Sequence, residues 1–174
     1  DGIRDLVRSR GLGDVYKRQS LGHGLGVAAG MALGLKAKQN PANVFVLLGD
    51  GELYEGAVWE ALMFAAHNKL NNLIAILDYN KISMLDFCQN ALDHEPLDKK
   101  FAAFGWEVWS IDGHQIEQLF STFHAIKQSQ NSRPVMVIAH TTKGKGVPQF
   151  EGNALCHVRS LSQTEVAQLL EETS

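Results

Sequence analysis

Three short runs of this chain, NVFVLL (43–48), LIAIL (73–77) and PVMVIA (134–139), are apolar at almost every position and rich in strand formers. Each is too short for a buried helix and lacks the alternation of a sheet with one wet face. Strands of this kind sit in parallel sheets covered on both sides. The segments between them carry helical spacing. In Ser20–Lys38, Leu25, Ala28, Ala29, Ala32 and Leu35 share one face, with small residues filling most gaps. Glu52–Lys69 aligns Val58, Leu62, Ala65 and Ala66, and Leu97–Phe104 and Gln115–Ser129 read as further helices around a strand at Trp106–Ile111. A last helix is expected from about Thr164, entered through Ser162 and Glu165 at capping-box spacing. The expected fold class is α/β, a three-layer, mainly parallel sheet with helices on both faces. Ligands of such sheets gather at the strand carboxyl ends.

The 174 residues, 45% hydrophobic and 20% charged, fit one domain with a real core. The net charge of −3, with no long basic run outside Arg4–Arg18, gives no electrostatic case for nucleic acid or an anionic membrane. Cys88 and Cys156 form no CxxC pair and read as free thiols of a reducing cytosol. No apolar run is long enough to span a bilayer and no signal-peptide pattern is present, so a cytoplasmic location is expected. Residues 1–19 lack an initiator Met, are basic and show no period; they read as a translated adapter, with a single domain over 20–174, incomplete at its N-terminus.

The chemistry concentrates at Gly49-Asp50-Gly51, where the first strand ends, and at Asn80, just past the second. Asp50 and the Asn80 side-chain oxygen can meet on one rim of the sheet. With a backbone carbonyl and phosphate oxygens they would complete the hard octahedral shell that magnesium prefers. Gly51 allows close approach of a phosphate, and a helix beginning near Glu52 would add unpaired N–H groups. Glu52 and Glu55 oppose an anion there, so a metal must neutralise much of the ligand charge. Other motifs point elsewhere and fail. TTKGKG lacks the GxxxxGK[ST] spacing, and GHGLG and GDGELY have Val27 and Tyr54 at the third glycine of a dinucleotide fingerprint. His67, His94, His114, His124 and His140 have no zinc spacing, though His140 ends a strand where a cleft could reach it. Phe101, Phe104, Trp106 and Trp109 read as core.

LLGDGELYEGAVWEALMFAAHNKLNNLIAILDYNKIS resembles the thiamine-diphosphate motif of transketolases, GDG followed by NK, with Asn80 30 positions after Asp50. SLGHGLGVAAGMALGLK, EPLDKKFAAFGWEVWSIDGH and HTTKGKGV resemble the same family in the same order. The resemblance implies that Asp50, Asn80 and the Ile82 carbonyl bind a divalent metal, Mg2+ or else Ca2+ or Mn2+, and that the Gly51 N–H contacts the diphosphate. It places Leu21 and Gly22 at the cofactor's aminopyrimidine and makes Glu55 an acid that links across a dimer to the glutamate activating the partner-bound cofactor. His157 falls where the family has a histidine near the diphosphate and reacting carbon, but Val158-Arg159 stands where Gly-Lys usually follows. The implied activity is transfer of a two-carbon ketol unit between sugar phosphates. It requires a pyrimidine-binding domain or C-terminal transketolase subunit, in a homodimer or heterotetramer, and this part alone is expected to be inactive. The alternatives are a non-catalytic assembly module, a deoxyxylulose-phosphate synthase and a 2-oxoacid dehydrogenase subunit.

Overall fold

The structure, a computed structural model, describes residues 21–84, 86–129 and 131–172. The adapter expected at 1–19 lies outside the described residues. Elements run α1 (His23–Ala37), β1 (Val44–Gly49), α2 (Gly56–His67), β2 (Leu73–Tyr79), α3 (Cys88–Ala91), α4 (Leu97–Ala103), β3 (Glu107–Asp112), α5 (Ile116–Gln128), β4 (Val135–His140) and α6 (Gln163–Glu172). The strands form one sheet in the order β1-β2-β4-β3, every pair parallel. The chain steps from β1 to β2 and past β4 to β3 with α2 and α4 on one face. It then steps back to β4 through α5 on the other. Reversing direction and face together keeps the hand of the crossovers constant.

One core joins Leu25, Ala28, Ala29 and Ala32 of α1 to Val58, Leu62 and Ala65 of α2, Phe101 of α4 and the inward residues Leu48, Leu73, Leu77 and Met136. The small residues of α1 let it lie close to the sheet. Trp106 is buried here, and its indole N–H donates to the Leu62 carbonyl at 3.0 Å, so the ring buries its bulk without orphaning its donor. A smaller core under α5 gathers Ile74, Ile111, Ile126, Val135 and Val137. At α6 the capping box forms: the Ser162 N–H donates to the Glu165 carboxylate at 2.8 Å, and the Glu165 N–H to the Ser162 hydroxyl at 3.3 Å.

β1 departs from the expectation of a strand buried on both faces. Phe45 is 57% and Leu47 62% exposed. Among the described residues β1 is an edge strand, and α5 covers β3, β4 and β2, with its Phe123 ring meeting Phe45 edge-on at 6.0 Å. Leu47 and Leu48 therefore separate two environments one residue apart. Leu48→Ala is expected to cost about 2–5 kcal/mol, as for other buried leucines. Leu47→Ala is expected to stay within about 0.5 kcal/mol. Urea denaturation of the two variants checks the pair.

Candidate active site

The register of β1 on β2 sets Gly49 beside Asp78, so the residues that follow each strand emerge together. Asp50 is 2% exposed, and its Oδ2 accepts the Lys81 N–H at 2.6 Å. Lys81 reaches that position by turning the chain through a left-handed φ of 66° directly after Asn80. The Asn80 side-chain oxygen accepts the Ile82 N–H at 3.0 Å, and its amide donates to Asp78 Oδ2 at 3.2 Å. Asp78 Oδ1 in turn accepts the Thr141 hydroxyl from the end of β4. Asp50, Asn80 and Ile82 are thus joined in one network across three strand ends.

Burial pushes the Asp50 carboxyl above its ordinary value. The Lys81 and Gly51 N–H groups pull it back, the Asp78 charge raises it and the Lys143 ammonium lowers it. Such a carboxylate is short of positive charge. With the Asn80 oxygen, which retains a free lone pair, and the Ile82 carbonyl, it supplies only hard oxygen donors, the chemistry that suits Mg2+. Lys143, in the TTKGKG segment that fails as a phosphate loop, donates from Nζ to the Ile82 and Ser83 carbonyls, each at 3.3 Å. Motif matching misses it because its spacing is wrong. Its position three residues beyond a strand adjacent to β2 is the available signal.

The two glutamates separate into different roles. The expected helix from Glu52 is instead a 3-10 turn over Asp50–Tyr54, an extended Glu55 at ψ 120°, and α2 starting at Gly56. The cause lies in Glu52: Oε1 accepts the Gly49 N–H and Oε2 the Gly22 N–H, both at 3.0 Å, which bends the segment back on β1 and α1. The donors near Gly51 belong to this tight turn rather than to an α-helix end. Gly22 has φ 78°, and a Cβ there would lie 2.5 Å from the Glu55 Cβ, so only glycine fits between α1 and Glu55. Glu55 is exposed at the start of α2, and Leu21 beside Gly22 is 47% exposed.

A cleft of about 410 Å³ opens on the Asn80–Ile82 side, walled also by Cys88, His94, Thr141 and Lys143. Asp50 and Gly51 are not in its wall, so the network touches the cleft along one side. Burial pushes the Cys88 thiol up, and the Asp50 charge adds to it. His94 is 4% exposed with Nε2 unpartnered, its ring 4.5 Å from that of Tyr54. Burial, then the Lys100 charge, holds its imidazole below the ordinary 6.5. His157 lies in an exposed stretch and does not line this cleft. Nor does His140, which pairs with the Ser110 hydroxyl at 2.8 Å.

Glu52→Ala orphans two N–H groups and is expected to destabilise the chain by about 2–4 kcal/mol, whereas Glu52→Gln keeps one acceptor and loses about half of that. Thermal unfolding of both variants tests the order. His94 is held neutral, so its contribution to stability is complete above pH 6.5 and is lost as pH falls through that value toward its lower folded value. His94→Leu is expected to flatten the acid side of the stability curve between about pH 7 and 5, read as urea midpoints.

Comparison with known proteins identifies the family. The family profile described as the transketolase thiamine diphosphate binding domain matches residues 17–173. An apulose-4-phosphate transketolase subunit of Actinobacillus succinogenes is 44% identical over 153 residues, 88% of this chain and 55% of that protein. A 6-deoxy-6-sulfo-D-fructose transketolase subunit of a Clostridium species is 41% identical over 83% of this chain and 52% of its own length. The chain thus spans about half the length of these relatives. The crystal structure of Campylobacter jejuni transketolase superposes with a TM-score of 0.80 at 33% identity, over 87% of this chain and 25% of that one. The chain belongs to the transketolase family, within its thiamine-diphosphate-binding domain.

Proposed function

We propose that this chain is the diphosphate- and metal-holding half of an enzyme that transfers two-carbon ketol units between sugar phosphates. The observation that carries the proposal is the oxygen set of Asp50, Asn80 and Ile82, brought to one rim by parallel β1 and β2. In this reading the three hold Mg2+, or Ca2+ or Mn2+, and the metal offsets the buried charge of Asp50. Thiamine diphosphate, when bound, supplies the carbon nucleophile that makes and breaks the carbon–carbon bond.

The chain's own residues bind and orient. Gly51 has open space where a side chain would stand, so a diphosphate can approach its backbone closely. Leu21 and Gly22 support the aminopyrimidine from the start of α1. Glu55, exposed and pressed against Gly22, meets the other half of the enzyme, where it holds a proton shared with a second acid. His157 joins the reacting end only if the 153–159 stretch closes on the cofactor. The partner is a pyrimidine-binding domain or separate C-terminal subunit, in a homodimer or heterotetramer. Without it, this chain turns over no ketose phosphate. A cytoplasmic location accords with sugar phosphate substrates.

Calorimetric titration of the chain with thiamine diphosphate is expected to give heat only when Mg2+ is present, and none with Asp50→Ala. Binding by a folded Asp50→Ala variant equal to that of the wild type would sink the proposal.

A further inference from the structure

A cation lies at one edge of the oxygen set assigned to the metal. The Ile82 carbonyl, one of the three oxygens assigned to the metal, accepts a hydrogen bond from Lys143 Nζ at 3.3 Å, and the neighbouring Ser83 carbonyl accepts another at the same distance. The charge of this ammonium also reaches Asp50. The other nearby basic groups are engaged elsewhere. Lys81 lies over the Tyr79 ring at 5.4 Å, and Lys100 donates to the His94 carbonyl at 2.7 Å.

The backbone that carries Lys143 is tied down. A Cβ on Gly144, at φ 78°, would come 2.6 Å from the Phe150 Cβ, so the turn is closed on that residue. Glu151 grips the same loop, accepting the Gly146 N–H at 2.9 Å and pairing with Lys145 at 3.7 Å. The side chain, with four rotatable bonds, is therefore the movable part.

We propose that Lys143 is a resident counter-cation of the metal site, which withholds the Ile82 carbonyl from a divalent ion until a diphosphate offers the ammonium other oxygens. The inference rests on the assignment of Asp50, Asn80 and Ile82 as metal ligands. An ammonium and a divalent ion cannot share one carbonyl at close range without strong repulsion in a partly buried site. Metal alone must displace Lys143 into a poorer environment, whereas metal with diphosphate need not. Metal and cofactor then bind with positive coupling, part of which passes through this one side chain.

The test counts free Mn2+ by electron paramagnetic resonance in solutions of the chain, with and without thiamine diphosphate. Lys143→Met is expected to bind Mn2+ alone about tenfold more tightly than the wild type, because one nearby unit charge and one competitor are gone. Its gain from added cofactor should shrink by a similar factor. Lys143→Arg keeps the charge and is expected to stay as weak as the wild type without cofactor. Circular dichroism establishes that each variant is folded, and Lys143→Gln serves the same purpose if the methionine variant is not. Mn2+ retained by the wild type with cofactor, but no tighter binding by the uncharged variant alone, overturns the inference and leaves the site assignment standing. Mn2+ left free in every sample overturns both.

Discussion

The parallel pairing of β1 with β2 is the constraint on which everything else rests. Because Gly49 stands beside Asp78, Asp50 and Asn80 leave adjacent strands at the same height and can be joined through the Lys81 and Ile82 N–H groups. A shift of one residue would turn the alternate set of side chains toward the core. It would also carry Asp50 away from the turn that solvates it. The apolar contacts of Leu48, Leu73 and Leu77 thus hold the site as well as the sheet, although none of them lines the cleft.

The sequence makes the sheet legible because its strands are short and apolar and lie between segments of helical period. Each strand expected from those runs is present, displaced by two residues at most. The boundaries that differ do so for tertiary reasons. α2 begins at Gly56 because Glu52 is held by two N–H groups, one three residues away and the other 30, and no local propensity reports the second contact. Phe45 and Leu47 read as core because hydrophobicity says that a face prefers to be covered, not that a helix lies over it. The pairing of Asp50 with Asn80 is recoverable from strand order and family resemblance. Lys143 is not, because its place depends on β4 being the other neighbour of β2.

The carboxylates around the site illustrate how one charge sign can serve different ends. Glu52 acts through its two oxygens as a backbone clamp, satisfying donors that α1 and β1 would otherwise leave bare. Asp78 ties Asn80 to Thr141 and so orients the amide. Asp50 alone of these three is buried, supplied with N–H donors and still short of positive charge. Counting acidic residues near GDG would make the rim hostile to phosphate. Their individual hydrogen bonds show that much of that charge is already committed.

The exposed side chains of β1 bear on how the chain behaves on synthesis. Among the described residues β1 is an edge strand with two large apolar side chains facing outward, which makes it a ready template for a neighbouring strand. A newly made chain at high concentration would find copies of that edge before it found a cover, so soluble yield becomes a matter of timing. A cover over Phe45 and Leu47 would protect the chain from precipitation in a way that a stronger core could not.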